Sequence, residues 1–144
     1  MKKLLLLLVL AGCGGNAPSL VGNWIYVNGS SGIAATFRDD GTYVASKLAL
    51  TSSASADAEI ETGTYMAADG TLTTIPQQWT CPGPDPVTAV SYSLDGVDLQ
   101  VSSPSGVLVM SPNSTPASSN FALTFGCFDS SGSFTPQSLA PVSN

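Results

Sequence analysis

Three Asp-Gly steps, at Asp40-Gly41, Asp69-Gly70 and Asp95-Gly96, punctuate the chain between runs whose side chains alternate apolar and polar. Glycine takes positive φ without a Cβ penalty, so each step reads as a tight hairpin turn, and each obliges the runs on either side to pair antiparallel. From Leu20 onward the hydrophobic period is two rather than that of a helix. No long stretch there carries helical spacing with caps, so the expected class is all-β.

The strands follow in order. Trp24-Ile25-Tyr26-Val27 reads as the first, ended by the turn-rich run Asn28 to Gly32, and Ala34 to Phe37 as the second. Thr42 to Leu50 is a third, closed by a serine and alanine loop over Ser52 to Ala56; Glu59 to Met66 is a fourth and Thr71 to Ile75 a fifth. Pro82-Gly83-Pro84-Asp85-Pro86 cannot join a ladder and is a loop. Val87 to Leu94 is a sixth strand, Val97 to Val101 a seventh and Val107 to Met110 an eighth. After a loop over Asn113 to Ser119, Phe121, Leu123, Phe125 and Cys127 alternate onto one face, which would point Cys127 at the core if that face is inward; Ser133 to Thr135 is a last short strand. Short strands with glycine turns argue for an antiparallel up-and-down β-barrel of about eight strands over residues 20–136, with a β-sandwich as the alternative and 137–144 as a flexible tail.

Met1-Lys2-Lys3 followed by an unbroken apolar run from Leu4 to Ala11 has the basic start and apolar core of an export signal, too short to span a bilayer. At its end, Leu10-Ala11-Gly12-Cys13 resembles the lipobox of bacterial lipoproteins. The resemblance implies cleavage after residue 12, a lipid on the Cys13 thiol that palmitate would label, and residence in the bacterial cell envelope. Gly14 stands where that family's inner-membrane retention signal is aspartate, which implies the outer membrane. Residues 13–19, small and polar, then form a tether. Burying CH₂ groups at ~0.8 kcal/mol each over two or three acyl chains gives a firm hold on a membrane.

Removing residues 1–12 leaves 132 of 144 residues, enough for one domain with a real core. It also leaves Arg38 and Lys47 against ten acids, a net charge of −8. That surface is a poor partner for nucleic acid and is repelled by anionic headgroups, so lipid rather than a basic patch would hold it to a membrane. The chain has no histidine, which removes Ser-His-Asp and Cys-His nucleophile systems and histidine-ligated metals together. No cofactor or metal is expected. Cys81 and Cys127 remain as an even pair, expected to form a disulfide in an oxidising compartment and to close a loop of roughly 47 residues.

Leu20-Val21-Gly22-Asn23-Trp24, Phe37-Arg38-Asp39-Asp40-Gly41-Thr42-Tyr43 and Glu61-Thr62-Gly63-Thr64-Tyr65 together resemble the lipocalin-like domains of small bacterial lipoproteins. The resemblance covers most of residues 20–128. It implies a barrel open at one end, with Trp24 as its floor and Tyr43, Tyr65 and Tyr92 on its wall as candidate ligand contacts. Trp79, beside Cys81 and the proline loop, either contacts a ligand or protein at the mouth or packs on the disulfide. Asp39 and Asp40 have the spacing of a turn; Arg38, one of two cations in the mature chain, can read a carboxylate or pair with these aspartates, and pairing is the favoured reading. Asp57, Glu59 and Glu61 line one face of a strand, read as a solvated edge that discourages aggregation, with a calcium or cationic-partner site as the lesser reading.

These readings point to a non-enzymatic binding module, lipid-anchored in the envelope, for an apolar small molecule or an envelope protein. One alternative is an inhibitor like the lipoprotein barrels that block lysozyme, favoured by the −8 charge although that group's inhibitory loop motif is not recognisable; another is a purely structural envelope protein. A hydrolase built on Asp95 and Asp98 is disfavoured, because two acids flanking a hairpin turn are poorly placed for burial.

Overall fold

The computed structural model describes residues 19–83 and 87–142. The export signal, Cys13 and most of the tether lie outside the described residues, as do residues 84–86 of the proline loop. Eight strands run in chain order: β1 (Gly22–Asn28), β2 (Ser31–Phe37), β3 (Thr42–Ser52), β4 (Ser55–Ala68), β5 (Thr71–Trp79), β6 (Thr88–Asp95), β7 (Asp98–Ser103) and β8 (Gly106–Asn113). Each pairs antiparallel with the next, and β8 returns to β1, so they close an up-and-down barrel. The β4–β5 turn shows why the Asp-Gly steps act as hairpins: Asp69 sits at φ 51° and Gly70 at φ 74°, a pair of positive values that asparagine, aspartate and glycine tolerate best.

Several strands are longer than the sequence indicates. Ser52 to Ala56 is not a loop but a two-residue turn inside the β3–β4 hairpin, because Ala56 and Ala58 are buried floor residues of a second apolar layer rather than spacer. Strand β5 passes through Pro76 to Trp79, and a register shift between Thr62 and Gly63 absorbs the irregularity. Gly63 is required there: a Cβ would fall on the carbonyl oxygen of Ile75 and lie 2.9 Å from its carbon.

Inside the barrel, Leu20, Trp24, Phe37, Tyr43, Leu72, Leu99 and Met110 pack the end from which the chain enters. Alternation along each strand delivers them, since residues two apart share a face. We refer to this as the closed end. Strands β1 and β8 pair over just Asn23–Ile25 and Ser111–Asn113, near that same end.

The barrel proper ends at Asn113, not at residue 136. Residues 114–142 form an outer strap: α1 (Ala117–Asn120), β9 (Ala122–Phe128), β10 (Phe134–Pro136) and β11 (Ala140–Pro141). Strand β9 lies parallel to the start of β4, pairing Ser55 to Ala58 with Ala122 to Phe125, on the edge that β5 occupies further along. With β10 beside it and β11 on the end of β5, the strap covers the outer face of β2–β4. There Ala34, Leu48, Ala56, Ala58 and Ile60 form a second apolar cluster under Phe121, Leu123 and Leu139.

Two expectations are corrected by this strap. The alternating face of β9 packs outside the barrel, so Phe125 is exposed and Cys127 is half-buried rather than aimed at the barrel core. Residues 137–142 are not a loose tail: Gln137 N–H donates to the Phe125 carbonyl and Val142 N–H to that of Gln77, both at 3.0 Å.

Where β5 ends and β9 ends, Thr80 bridges the gap. It is 2 % exposed; its hydroxyl accepts from Ile60 N–H (3.0 Å) and donates to the Gly126 carbonyl (2.6 Å), and its N–H donates to the Ile60 carbonyl (3.0 Å). The next residue, Cys81, is disulfide-bonded to Cys127, with Cα atoms 4.8 Å apart. Thr80→Val keeps the shape and strands both buried partners of the hydroxyl, so a loss of about 1–3 kcal/mol is expected in urea unfolding.

Candidate functional site

The far end of the barrel is built differently. Period-two alternation on β3, β4 and β5 turns Lys47, Glu59, Glu61 and Trp79 inward, and the register sets Lys47 opposite Glu59 and Trp79 opposite Glu61. Between them lies a cavity of about 230 Å³, also bordered by Ile33 and Ala45. A neighbouring hollow of about 350 Å³ at the rim shares Ile33 and Lys47 and is bounded by Tyr26 and Phe128. Together they form an open mouth with aromatic walls and charged groups on one side.

The charged groups are held in place. Trp79 Nε1–H donates to Glu59 Oε1 (3.2 Å), and the Phe128 backbone N–H donates to Glu59 Oε2 (3.3 Å). The Tyr43 hydroxyl donates to Glu61 Oε1. Lys47 Nζ lies 5.2 Å from the centroid of the Phe128 ring, a cation–π distance. The reading of Asp57, Glu59 and Glu61 as a solvated edge is therefore corrected: β4 is paired on both sides, and Glu59 and Glu61 face the mouth.

The five aromatic residues singled out from sequence divide clearly. Trp24 is buried at the closed end, its Nε1–H donating to the Leu20 carbonyl at 2.9 Å. Tyr43 is 1 % exposed and Tyr92 packs against the same core. Tyr65 stacks edge-on against Phe37, with ring centroids 4.9 Å apart, and its hydroxyl donates to the Arg38 carbonyl (2.8 Å). Of the five, Trp79 alone borders the cavity; its indole reaches Glu59 while the disulfide follows two residues on. Lys47 was missed, because the sequence reading made a loop of the hairpin whose register places it opposite Glu59.

Burial raises the Tyr65 phenol above its ordinary value of 10.0, and Asp40 and Asp39 add to the effect by disfavouring a nearby phenolate. The unfolded chain then loses this proton first, so stability is expected to fall as pH rises above about 10. Titration followed at the tyrosinate absorbance, with Tyr65→Phe as the reference, checks this. At the turns, hydrogen bonds from Thr42 hold the Asp40 carboxyl below the usual range, and those from Ser131 and Ser133 do the same for Asp129. Asp40 is therefore turn chemistry, as its spacing indicated.

Glu59 and the sulfurs of Cys81 and Cys127 gather within 4.8 Å of one another, a spacing that fits a metal ion. The two sulfurs are bonded to each other and offer no thiolate, so this donor set does not fit one.

Compared with known protein families, with characterised proteins and with solved structures, the chain gives no significant match. What the mouth can do is set by its own groups: an apolar wall from Ile33 and Trp79, one cation from Lys47, and two carboxylates already holding fold donors.

Proposed function

We propose that this chain is a bacterial envelope lipoprotein, exported on residues 1–12 and anchored through Cys13 in the outer membrane, whose barrel is a non-enzymatic binding module. The ligand is a small, mostly apolar molecule with one polar group. The observation that carries the binding half is the contrast between the two ends: one is packed solid around Trp24 and Leu99, and the other keeps a cavity of about 230 Å³ beside Trp79. Taken alone, that cavity falls below the roughly 300–1,000 Å³ of sites for drug-sized molecules, so the part of the ligand beside Trp79 is a single ring system or short chain, with the rim hollow of about 350 Å³ next to it. Glu59 and Glu61 each accept from donors of the fold, which supports orienting a ligand over acid–base work. The anchor half is supported by the Leu10-Ala11-Gly12-Cys13 box behind its basic and apolar run.

The two tryptophans make the test simple. In ¹⁵N-labelled protein comprising residues 14–144, titration with 2-naphthol is expected to move the Trp79 indole N–H signal saturably and to leave that of Trp24 in place. Ala45→Leu, which fills the cavity, is expected to abolish the response. If neither indole signal moves at millimolar probe, the binding reading fails.

A further inference from the structure

The strap leaves a second hollow on the outer wall of the barrel; of its lining, Ser46 alone also borders the mouth cavity. It measures about 270 Å³ and lies between β2–β4 and the strap, bordered by Ala34, Val44, Ile60, Ala117, Leu123 and Leu139. Arg38, Ser46, Ser118 and Thr36 supply its polar groups, and the Thr36 hydroxyl is already spent on Asn23 Oδ1 (2.8 Å). Ser46 pairs with Ala34 on one side and Ile60 on the other, on the outer face of β3, and is 7 % exposed. No described residue hydrogen-bonds its hydroxyl. Native proteins rarely keep a buried hydroxyl without a partner, and one that lines a cavity is positioned for a partner that enters it.

Arg38 stands at the β2–β3 turn, toward the closed end, and is exposed. Its guanidinium makes one long contact, Nη1–H donating to Thr42 Oγ1 at 3.4 Å. Nearby Asp40 accepts instead from Thr42 N–H (2.9 Å) and Thr42 O–H (2.6 Å), so the arginine fork keeps donors for a bidentate acceptor. Ser46 is four strand steps from Thr42, roughly 13 Å, of which the long arginine side chain covers a part. The two polar groups thus address opposite ends of a molecule lying along an apolar channel. At about 30 Å³ for each water-sized group, the hollow holds a chain of about nine such groups.

We propose that this outer groove is a ligand site for a short aliphatic acid carrying a hydroxyl or carbonyl near its far end. The carboxylate sits on Arg38, the second polar group satisfies the Ser46 hydroxyl, and the chain between them lies against Val44, Ile60 and Leu123. Such an occupant also bridges barrel and strap, so its binding stabilises the fold by mass action.

The test is calorimetric titration of protein comprising residues 14–144 with 8-hydroxyoctanoate, octanoate and 1-octanol. 8-Hydroxyoctanoate is expected to bind about tenfold tighter than either, because it alone satisfies both polar ends. Arg38→Gln is expected to reduce its affinity to that of the alcohol, and Ser46→Ala to that of octanoate, with circular dichroism confirming that both variants are folded. The Trp79 indole signal should stay in place throughout, which separates this groove from the mouth. Equal binding of the three compounds, binding unchanged in both variants, no measurable heat at millimolar acid, or a moving Trp79 signal would each overturn the assignment.

Discussion

Removing the Cys81–Cys127 bridge, by Cys81→Ala together with Cys127→Ala, is expected to lower the unfolding free energy by about 4 kcal/mol. The residues are 46 apart in sequence, so the cross-link takes a large loop's worth of freedom from the unfolded chain. It also acts at one place in the native fold. Strand β9 joins β4 in parallel, through a connection with no hairpin to hold it, and its far end is secured by Thr80 and the disulfide. The loss should therefore be uneven. Hydrogen exchange is expected to show β9 and β10 losing protection first, while the β1–β4 amides keep theirs. Urea unfolding with and without a reductant gives the total. Thiol labelling of the unreduced, unfolded protein should find neither Cys81 nor Cys127 free.

Trp24→Ala is expected to cost about 3–5 kcal/mol, the range for truncating a buried aromatic residue. Trp24 is 7 % exposed and reaches back to the carbonyl of Leu20, itself 7 % exposed, so its indole both fills the closed end and fastens the entering chain. It also stands at the β1–β8 seam, opposite Pro112, where three residue pairs close the barrel. Proline has no N–H to give to that ladder, which leaves side-chain packing with more of the closure to do. The cost should thus fall in the upper half of the range. A loss under about 1 kcal/mol in denaturant titration would show that the closed end is held by something other than this side chain.

Much of the barrel was legible because local rules suffice for it. Asp-Gly steps fix hairpins, period two fixes faces, and seven hairpin connections in succession leave few topologies beyond a closed meander. The strap was not legible for the opposite reason. Phe121 to Cys127 alternates as well as any barrel strand, and nothing within it says that its partner is Ser55 to Ala58, parallel and far away in the chain. Ala56 looked like loop because small residues signal burial only when a second layer is known to cover them. At the mouth, Trp79 and the face shared by Glu59 and Glu61 could be read from sequence. Lys47 could not, since its position opposite Glu59 depends on a turn at Ser53-Ala54 that carries no glycine or proline. Nor could the role of Tyr43 as closed-end packing be separated from a wall contact, because alternation gives the same inward residues to a filled barrel and an open one.

The measurement that tests the whole reading most directly is the intact mass, under native and then denaturing conditions, of the full chain purified from the membranes of a bacterial host that processes lipoproteins. The expected native mass is that of residues 13–144 with acyl groups on Cys13, two hydrogens fewer for the disulfide, and a small molecule that leaves on denaturation. An unacylated chain that retains residues 1–12 and carries no releasable ligand would contradict it.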